Sequence, residues 1–220
     1  MAAKQFVVIG LGSFGTALAE RLVKNGCRVT GLDASRDRVE ALKNVLYEAV
    51  IGNATERESI AHLPIATADT VFISMGEDIT QSILATLHAK ELGGRHVVVK
   101  GVTEEHGRIL MRLGVDRVVF PETEIARELA DRMTWTNIID FLPIDPEYGI
   151  SEIAVPDSFA GKTLQDLDLR RKFNVWVVVL KDTLTGKLTM FPDGQVTMGA
   201  DQILVVVGKQ DELNRLSEFK

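Results

Sequence analysis

Cysteine occurs once in the 220 residues, at Cys27. No intramolecular disulfide can form, and a lone thiol beside Gly26 is most simply a small strand residue. Histidine is sparse and scattered. His62, His88, His96 and His106 stand singly, none at a spacing that pairs two as metal ligands or as a proton relay. Neither Tyr47 nor Tyr148 has a lysine four residues on, so the Tyr-x-x-x-Lys proton-transfer pair of the short-chain reductases is missing. No Gly-x-Ser-x-Gly elbow and no Cys–His couple is found. Positive charge is in deficit, with a net −6 and no basic stripe, which argues against nucleic acid and against an anionic lipid surface as partners. No apolar run approaches the length that crosses a bilayer, and no signal peptide precedes Lys4. These gaps lead to the expectation of a cytoplasmic protein that is not an enzyme. It should not insert in the membrane, and should reach any membrane process through a protein partner.

What is present is ordinary in bulk and specific in its order. A hydrophobic fraction of 45% and a charged fraction of 25% over 220 residues suit one large globular domain or two smaller ones. Near the amino end, the apolar run Gln5–Ile9 leads directly into Gly10-Leu11-Gly12-Ser13-Phe14-Gly15, and Thr16–Lys24 then carries apolar residues at helical spacing. A strand, a glycine-rich turn and a helix in that order form a phosphate-binding device. Gly10 permits the tight turn, Gly12 lets the backbone approach a pyrophosphate, and Gly15 lets helix and strand pack closely. The helix start then offers unpaired N–H groups and a partial positive charge. Asp33 closes the next strand, Arg28–Leu32, about 20 residues beyond the turn. A carboxylate there accepts ribose hydroxyls and repels a 2′-phosphate, favouring NAD or an adenosine nucleotide over NADP. The competing reading of Asp33 is a helix cap ahead of Ser35.

The alternation continues. Ser35 is the expected cap of a helix over Arg38–Lys43. Ala49–Ile51 reads as a third strand with Gly52-Asn53-Ala54-Thr55 as a polar turn, and Thr55 with Glu58 as a capping box. Thr70–Ser74 is a fourth strand followed by Met75-Gly76, Asp78 to Leu92 a long amphipathic helix, and His96–Lys100 a fifth strand. Thr103–Leu113 is a helix and Asp116–Phe120 a sixth strand, interrupted by Pro121-Glu122 before a helix over Thr123–Thr136. This pattern predicts an α/β fold, a Rossmann doubly wound parallel sheet, with ligand sites at the carboxyl ends of the strands. The turns at Gly12, Asp33, Asn53, Gly76 and Lys100, with Glu122, share that edge. From residue 137 short strands replace the alternation: Ile138–Ile144, Gly149–Val155, Val175–Lys181, Lys187–Phe191 and Gln202–Val207, with helical stretches at Leu164–Leu169 and Gln210–Phe219. The expected domains are therefore residues 1–136, a nucleotide-binding lobe that includes the helix 123–136, and residues 137–220, a second, smaller α+β lobe at the carboxyl end.

The run Val8–Gly15, then Asp33, Gly52-Asn53-Ala54-Thr55, Leu113–Val118 and Pro121-Glu122, resembles the RCK (regulator of potassium conductance) family. The likeness is to the cytosolic gating subunits of Ktr/Trk-type bacterial potassium uptake systems. Gly161–Leu164, Leu169–Phe173 and Gly199–Leu204 are similar to the small carboxyl-terminal lobe of that family. The resemblance implies a regulatory subunit in which ligand binding to a dimer drives gating of a membrane potassium-translocating subunit, the dimers forming a ring, an octamer in this type. It implies that the turn, with Ser13 and Phe14, and Asp33, with Ala34 beside it, hold phosphates and ribose. Asn53, Ala54 and Thr55 would approach adenine, with Gly76 and Lys100 on the same rim. It implies that Glu122 contributes to a cation site (Mg, Ca or Na) near the phosphates at the dimer interface. A first-turn carboxylate favoured by the helix dipole explains Glu122 equally well. In the small lobe it implies cyclic di-AMP near Asn174, Val175 and Pro192, residues that strand packing also explains. Many such subunits carry an arginine where this chain has Ser13, at the γ-phosphate of ATP. Losing that charge-assisted bond costs about 1.5–3 kcal/mol unless Lys100 or Arg36 substitutes. ATP/ADP lead as ligands, with NAD(H) and AMP as alternatives. The rival function is an NAD(P)-dependent oxidoreductase with an unrecognised active site.

Overall fold

A computed structural model describes residues 3–76, 78–134 and 137–218. The expected helix ends at Thr136 and Phe219 lie outside them. Two compact units divide the chain, Met1–Thr123 and Glu124–Lys220.

The first unit runs β1 (Gln5–Ile9), α1 (Ser13–Lys24), β2 (Arg28–Asp33), α2 (Arg36–Leu42), β3 (Glu48–Ile51) and α3 (Arg57–Ala61). It continues through β4 (Thr70–Ile73), α4 (Ile79–Glu91), β5 (Val97–Lys100), α5 (Glu104–Arg112) and β6 (Arg117–Val119). The six strands are parallel in the order β3-β2-β1-β4-β5-β6, the doubly wound arrangement that the alternation predicts. Side chains alternate across the pleat. Val8 and Val29 join α1 and α2 residues such as Ala19, Val39 and Leu42 in one core. Val7, Ile9, Val71 and Val97 join α4 and α5 residues Ala85, Ala89 and Leu110 in the other. With both faces covered, the inner segments Phe6–Ile9, Val71–Ile73 and Val97–Val99 are continuous apolar runs rather than alternating.

Helix ends follow local chemistry. Gly26 and Gly93 take left-handed φ values of +82° and +86° just beyond α1 and α4. The side chains of Asp78 and Thr103 cap α4 and α5 by accepting the backbone N–H of Gln81 and of His106. The expected capping box at Thr55 does not form: the residue before α3 is Glu56, with no side-chain cap bond. The Asn53 carboxamide oxygen instead takes both the Thr55 hydroxyl at 2.8 Å and its N–H at 3.0 Å. An Asx turn thus captures Thr55 before the helix can.

The helix α6 (Pro121–Thr134) starts at the proline itself, because a first helical position needs no N–H. It straddles the boundary between the two units. The second unit adds β7 (Ile138–Pro143), β8 (Tyr148–Ala154), α7 (Leu164–Leu167), α8 (Leu169–Phe173), β9 (Trp176–Asp182), β10 (Leu188–Met190), β11 (Gln202–Lys209) and α9 (Gln210–Ser217). Its five strands are antiparallel in the order β10-β9-β11-β8-β7. Ile153, Leu204 and Val206 pack with Leu213 and Leu216 in a separate core. Asp168, at φ +45°, ends α7 within the stretch Leu164–Leu169 that reads as one helix, and α8 follows to Phe173, beyond that reading. Among the described residues no helix is long and apolar enough to cross a membrane.

Candidate functional site

The order of strands reverses between β1 and β4, where connections leave in opposite directions and open a crevice at the carboxyl ends. A cavity of about 530 Å³ lies there, within the range of small-molecule sites. The turn contributes Gly10, Gly12, Ser13 and Phe14, and the end of β2 contributes Asp33, Ala34, Ser35 and Arg38. Gly52, Asn53 and Ala54 follow β3, Ser74, Met75 and Gly76 follow β4, and Gln81, Lys100 and Glu122 complete the lining. Eleven of the thirteen residues read from the sequence thus surround one space, with Gly15 and Thr55 the exceptions.

The glycines divide by what surrounds them. At Gly10 (φ +92°) a Cβ would come within 3 Å of the Ser74 carbonyl oxygen, and at Gly15 within 3 Å of the Gly10 carbonyl oxygen. Both are required by close backbone approach, so Gly15 serves the fold beneath the cavity rather than its surface. Gly12 differs: its φ of −69° is ordinary, and among the described residues beyond its chain neighbours the one heavy atom within 4 Å of its would-be Cβ is Arg38 Nη1, at 4.0 Å. Its openness faces the cavity.

Asp33 is 7% exposed and ties three segments together. Its Oδ2 accepts the Leu11 N–H at 2.6 Å, and its Oδ1 accepts the Ser35 N–H at 2.8 Å. Arg38 Nη1 lies 3.4 Å from Oδ2. The cap reading of Asp33 is met at the Ser35 N–H, at the start of α2, and the same carboxylate also fixes the glycine turn. Its carboxylate keeps lone pairs for a ribose hydroxyl.

Thr55 does not line the cavity but belongs to the turn that does. Its carbonyl receives the His88 Nε2–H at 3.2 Å from α4, so a histidine expected merely on a helix face braces the Asn53 turn. Lys100 Nζ donates to Glu122 Oε1, and this hydrogen bond holds the Glu122 carboxyl below its usual range. Glu122 is thus engaged by Lys100. Among the described residues no group of three or more His, Cys, Asp and Glu side chains is placed to hold a metal ion. One chain by itself does not fit the cation site that the resemblance implies. Arg36, expected as a substitute cation, does not line the cavity, whereas Arg38 does. Two residues along a helix rotate a side chain by about 200°. Arg38, Ser74 and Gln81 escape a reading by motif. The available sign is that Arg38 places a cation in the first turn of α2, against the helix dipole.

The TrkA-N domain matches residues 6–121 and the TrkA-C domain residues 150–220. The Ktr system potassium uptake protein C of Bacillus subtilis (strain 168) is 33% identical over 98% of this chain and 96% of its own length. The Ktr system potassium uptake protein A of Vibrio alginolyticus is 35% identical over 98% of each. The chain belongs to the TrkA-N/TrkA-C family of Ktr and Trk potassium uptake proteins. In this family's terms, the cavity and all thirteen of those residues except Glu122 lie within the TrkA-N domain. Among solved structures, the GsuK RCK domain superposes with a TM-score of 0.67 at 19% identity, covering 98% of this chain and 47% of that one. The GsuK channel bound to NAD gives 0.64 at 19% identity, over 96% and 38%. This chain spans less than half of those chains, and the likeness to them is one of fold.

Proposed function

We propose that the chain is a nucleotide-sensing regulatory subunit of a potassium uptake system. It acts from the cytoplasmic side as a homodimer assembled into a ring, an octamer, against a membrane potassium-translocating subunit. The observation that carries this reading is a cavity of nucleotide size built around Gly12 and Asp33, in a chain that matches Ktr proteins over nearly its whole length. Adenine lies against Asn53 and Ala54, ribose on Asp33, and the phosphates over Gly12 and the start of α1. ATP and ADP are the leading pair, with NAD(H) and AMP as alternatives. The GsuK channel described as bound to NAD supports adenine dinucleotides as a class. A cation at Glu122 needs further donors, from ligand phosphates or from a second copy of the chain. The nucleotide-binding lobe runs to residue 136 with α6 as its closing helix, and the smaller lobe follows.

Regulation requires that the nucleotide bind one state of the dimer better than the other, since equal affinity shifts nothing. Phosphate charge beside the Lys100–Glu122 pair supplies a difference of that kind. Gly12→Asp puts a carboxylate into the phosphate path at a position with room for it. Potassium uptake in cells carrying that variant should lose its nucleotide response; a response of wild-type size would sink the reading. The rival, an NAD(P)-dependent oxidoreductase, predicts turnover of NADH with a panel of carbonyl compounds, where the regulatory reading predicts none. Cyclic di-AMP binding by the small lobe is checked by titrating that ligand into the full chain.

A further inference from the structure

We propose that Arg38 is the phosphate-binding cation of this cavity. It pairs with Asp33 at 3.4 Å and on nucleotide binding exchanges that carboxylate for the diphosphate of an adenine nucleotide. This rests on the nucleotide reading above. The glycine-rich turn offers backbone N–H groups but no charged side chain, since Ser13 is neutral. Among the described residues that line the cavity, Arg38 and Lys100 are the cations. Lys100 is 18% exposed in its side chain and hydrogen-bonded to Glu122, whereas Arg38 is 57% exposed and held at 3.4 Å by Asp33. The contact is long, its Arg38 end is open to solvent, and the buried Asp33 carboxylate keeps the Leu11 and Ser35 N–H donors when the guanidinium leaves.

Position makes the same selection. Arg38 Nη1 lies 4.0 Å from where a Gly12 Cβ would stand, the nearest described atom there apart from the turn's own chain neighbours, and so beside the point where the backbone lets a diphosphate approach. A guanidinium at that point can take two phosphate oxygens through parallel N–H donors, which an ammonium cannot. Its placement in the first turn of α2 works against the helix dipole, a local disadvantage that a role in the cavity explains. The transfer also has a second effect. When Arg38 leaves, Asp33 Oδ2 keeps only the Leu11 N–H and gains capacity for a ribose hydroxyl. Ribose and diphosphate recognition are therefore linked, and the site selects adenosine carrying two or more linked phosphates, whether ADP, ATP or NAD, over adenosine itself.

The test is calorimetric titration of the full chain and of its Arg38→Gln and Arg38→Lys variants with ADP, NAD, NADP and adenosine, alongside their melting temperatures. Expected are a loss of about tenfold or more for ADP and NAD in Arg38→Gln, a smaller loss in Arg38→Lys, adenosine affinity equal to the wild type's or higher because Asp33 is already released, and an unchanged melting temperature. The proposal is overturned if Arg38→Gln binds ADP and NAD as the wild type does. Equal weakening of adenosine, or a loss confined to NADP, also overturns it: the first makes Arg38 a base or folding contact, the second a 2′-phosphate contact. A wild-type chain that binds none of the four overturns the nucleotide reading itself and the proposal with it.

Discussion

The three glycines of the turn do different physical work, and substitution separates them. Gly15→Ala drives a methyl into the Gly10 carbonyl and should cost about 3 kcal/mol of stability, read as a lowered urea midpoint. Gly12→Ala meets open space and should stay within about 0.5 kcal/mol of wild type. Equal midpoints for the two variants would contradict the assignment. Asp33 shows the same doubling of roles at a single side chain. It accepts backbone N–H groups from Leu11 and Ser35, so removing it disturbs the turn and the start of α2 before any ligand is considered. Much of this was legible from spacing, since a glycine-rich turn and an acidic residue at the end of the next strand define each other. The division of labour between Gly12 and Gly15 was not legible, because it depends on where Ser74 and the Gly10 carbonyl come to lie.

Elements hold the site through a few side chains from neighbouring segments. The loop between β5 and α5 closes on His106, which is 1% exposed. His106 Nδ1 accepts the Val102 N–H at 3.2 Å, and its own N–H meets the Thr103 hydroxyl at 3.1 Å. Burial pushes the imidazole pKa down, because desolvation disfavours the charged form. In the unfolded chain the same group takes its proton near 6.5. Stability is therefore complete above that pH and declines as pH falls from there toward the lower folded value. Replacing His106 by Gln should flatten that decline, measured by urea midpoints between about pH 7.5 and 5.5; a slope identical to wild type would refute it. The alternation of strand and helix was readable from periodicity. The Thr55 capping box was not sound, since Asn53 competes for the same hydroxyl. The break at Asp168 turns on a left-handed residue that carries no glycine to announce it.

At the scale of the molecule, α6 carries Ile125, Leu129 and Met133 at 62%, 53% and 79% exposure. They are spaced four apart, so they form one apolar stripe along the helix. Exposed stripes of that kind mark interaction surfaces, and in a chain proposed to assemble as dimers in a ring this one suits contact between copies. Ile125→Glu together with Leu129→Glu should lower the mass measured by light scattering at micromolar concentration while leaving the melt of the first unit in place. A mass equal to that of the wild type would place the subunit contact elsewhere.

The amino-acid sequence alone determined the parallel, doubly wound class of the first lobe, the change of character near residue 137, the glycine turn and Asp33, and the family. Each is written in local period, turn chemistry or short spacing, which a chain expresses before it folds. Only the tertiary structure decided that Arg38 rather than Arg36 reaches the cavity. It alone decided that Ser74 sets the glycine at position 10, that His88 braces the turn after β3, and that Lys100 engages Glu122. Those are meetings of residues far apart in the chain, fixed by which strands lie side by side and how far each helix has turned when it arrives.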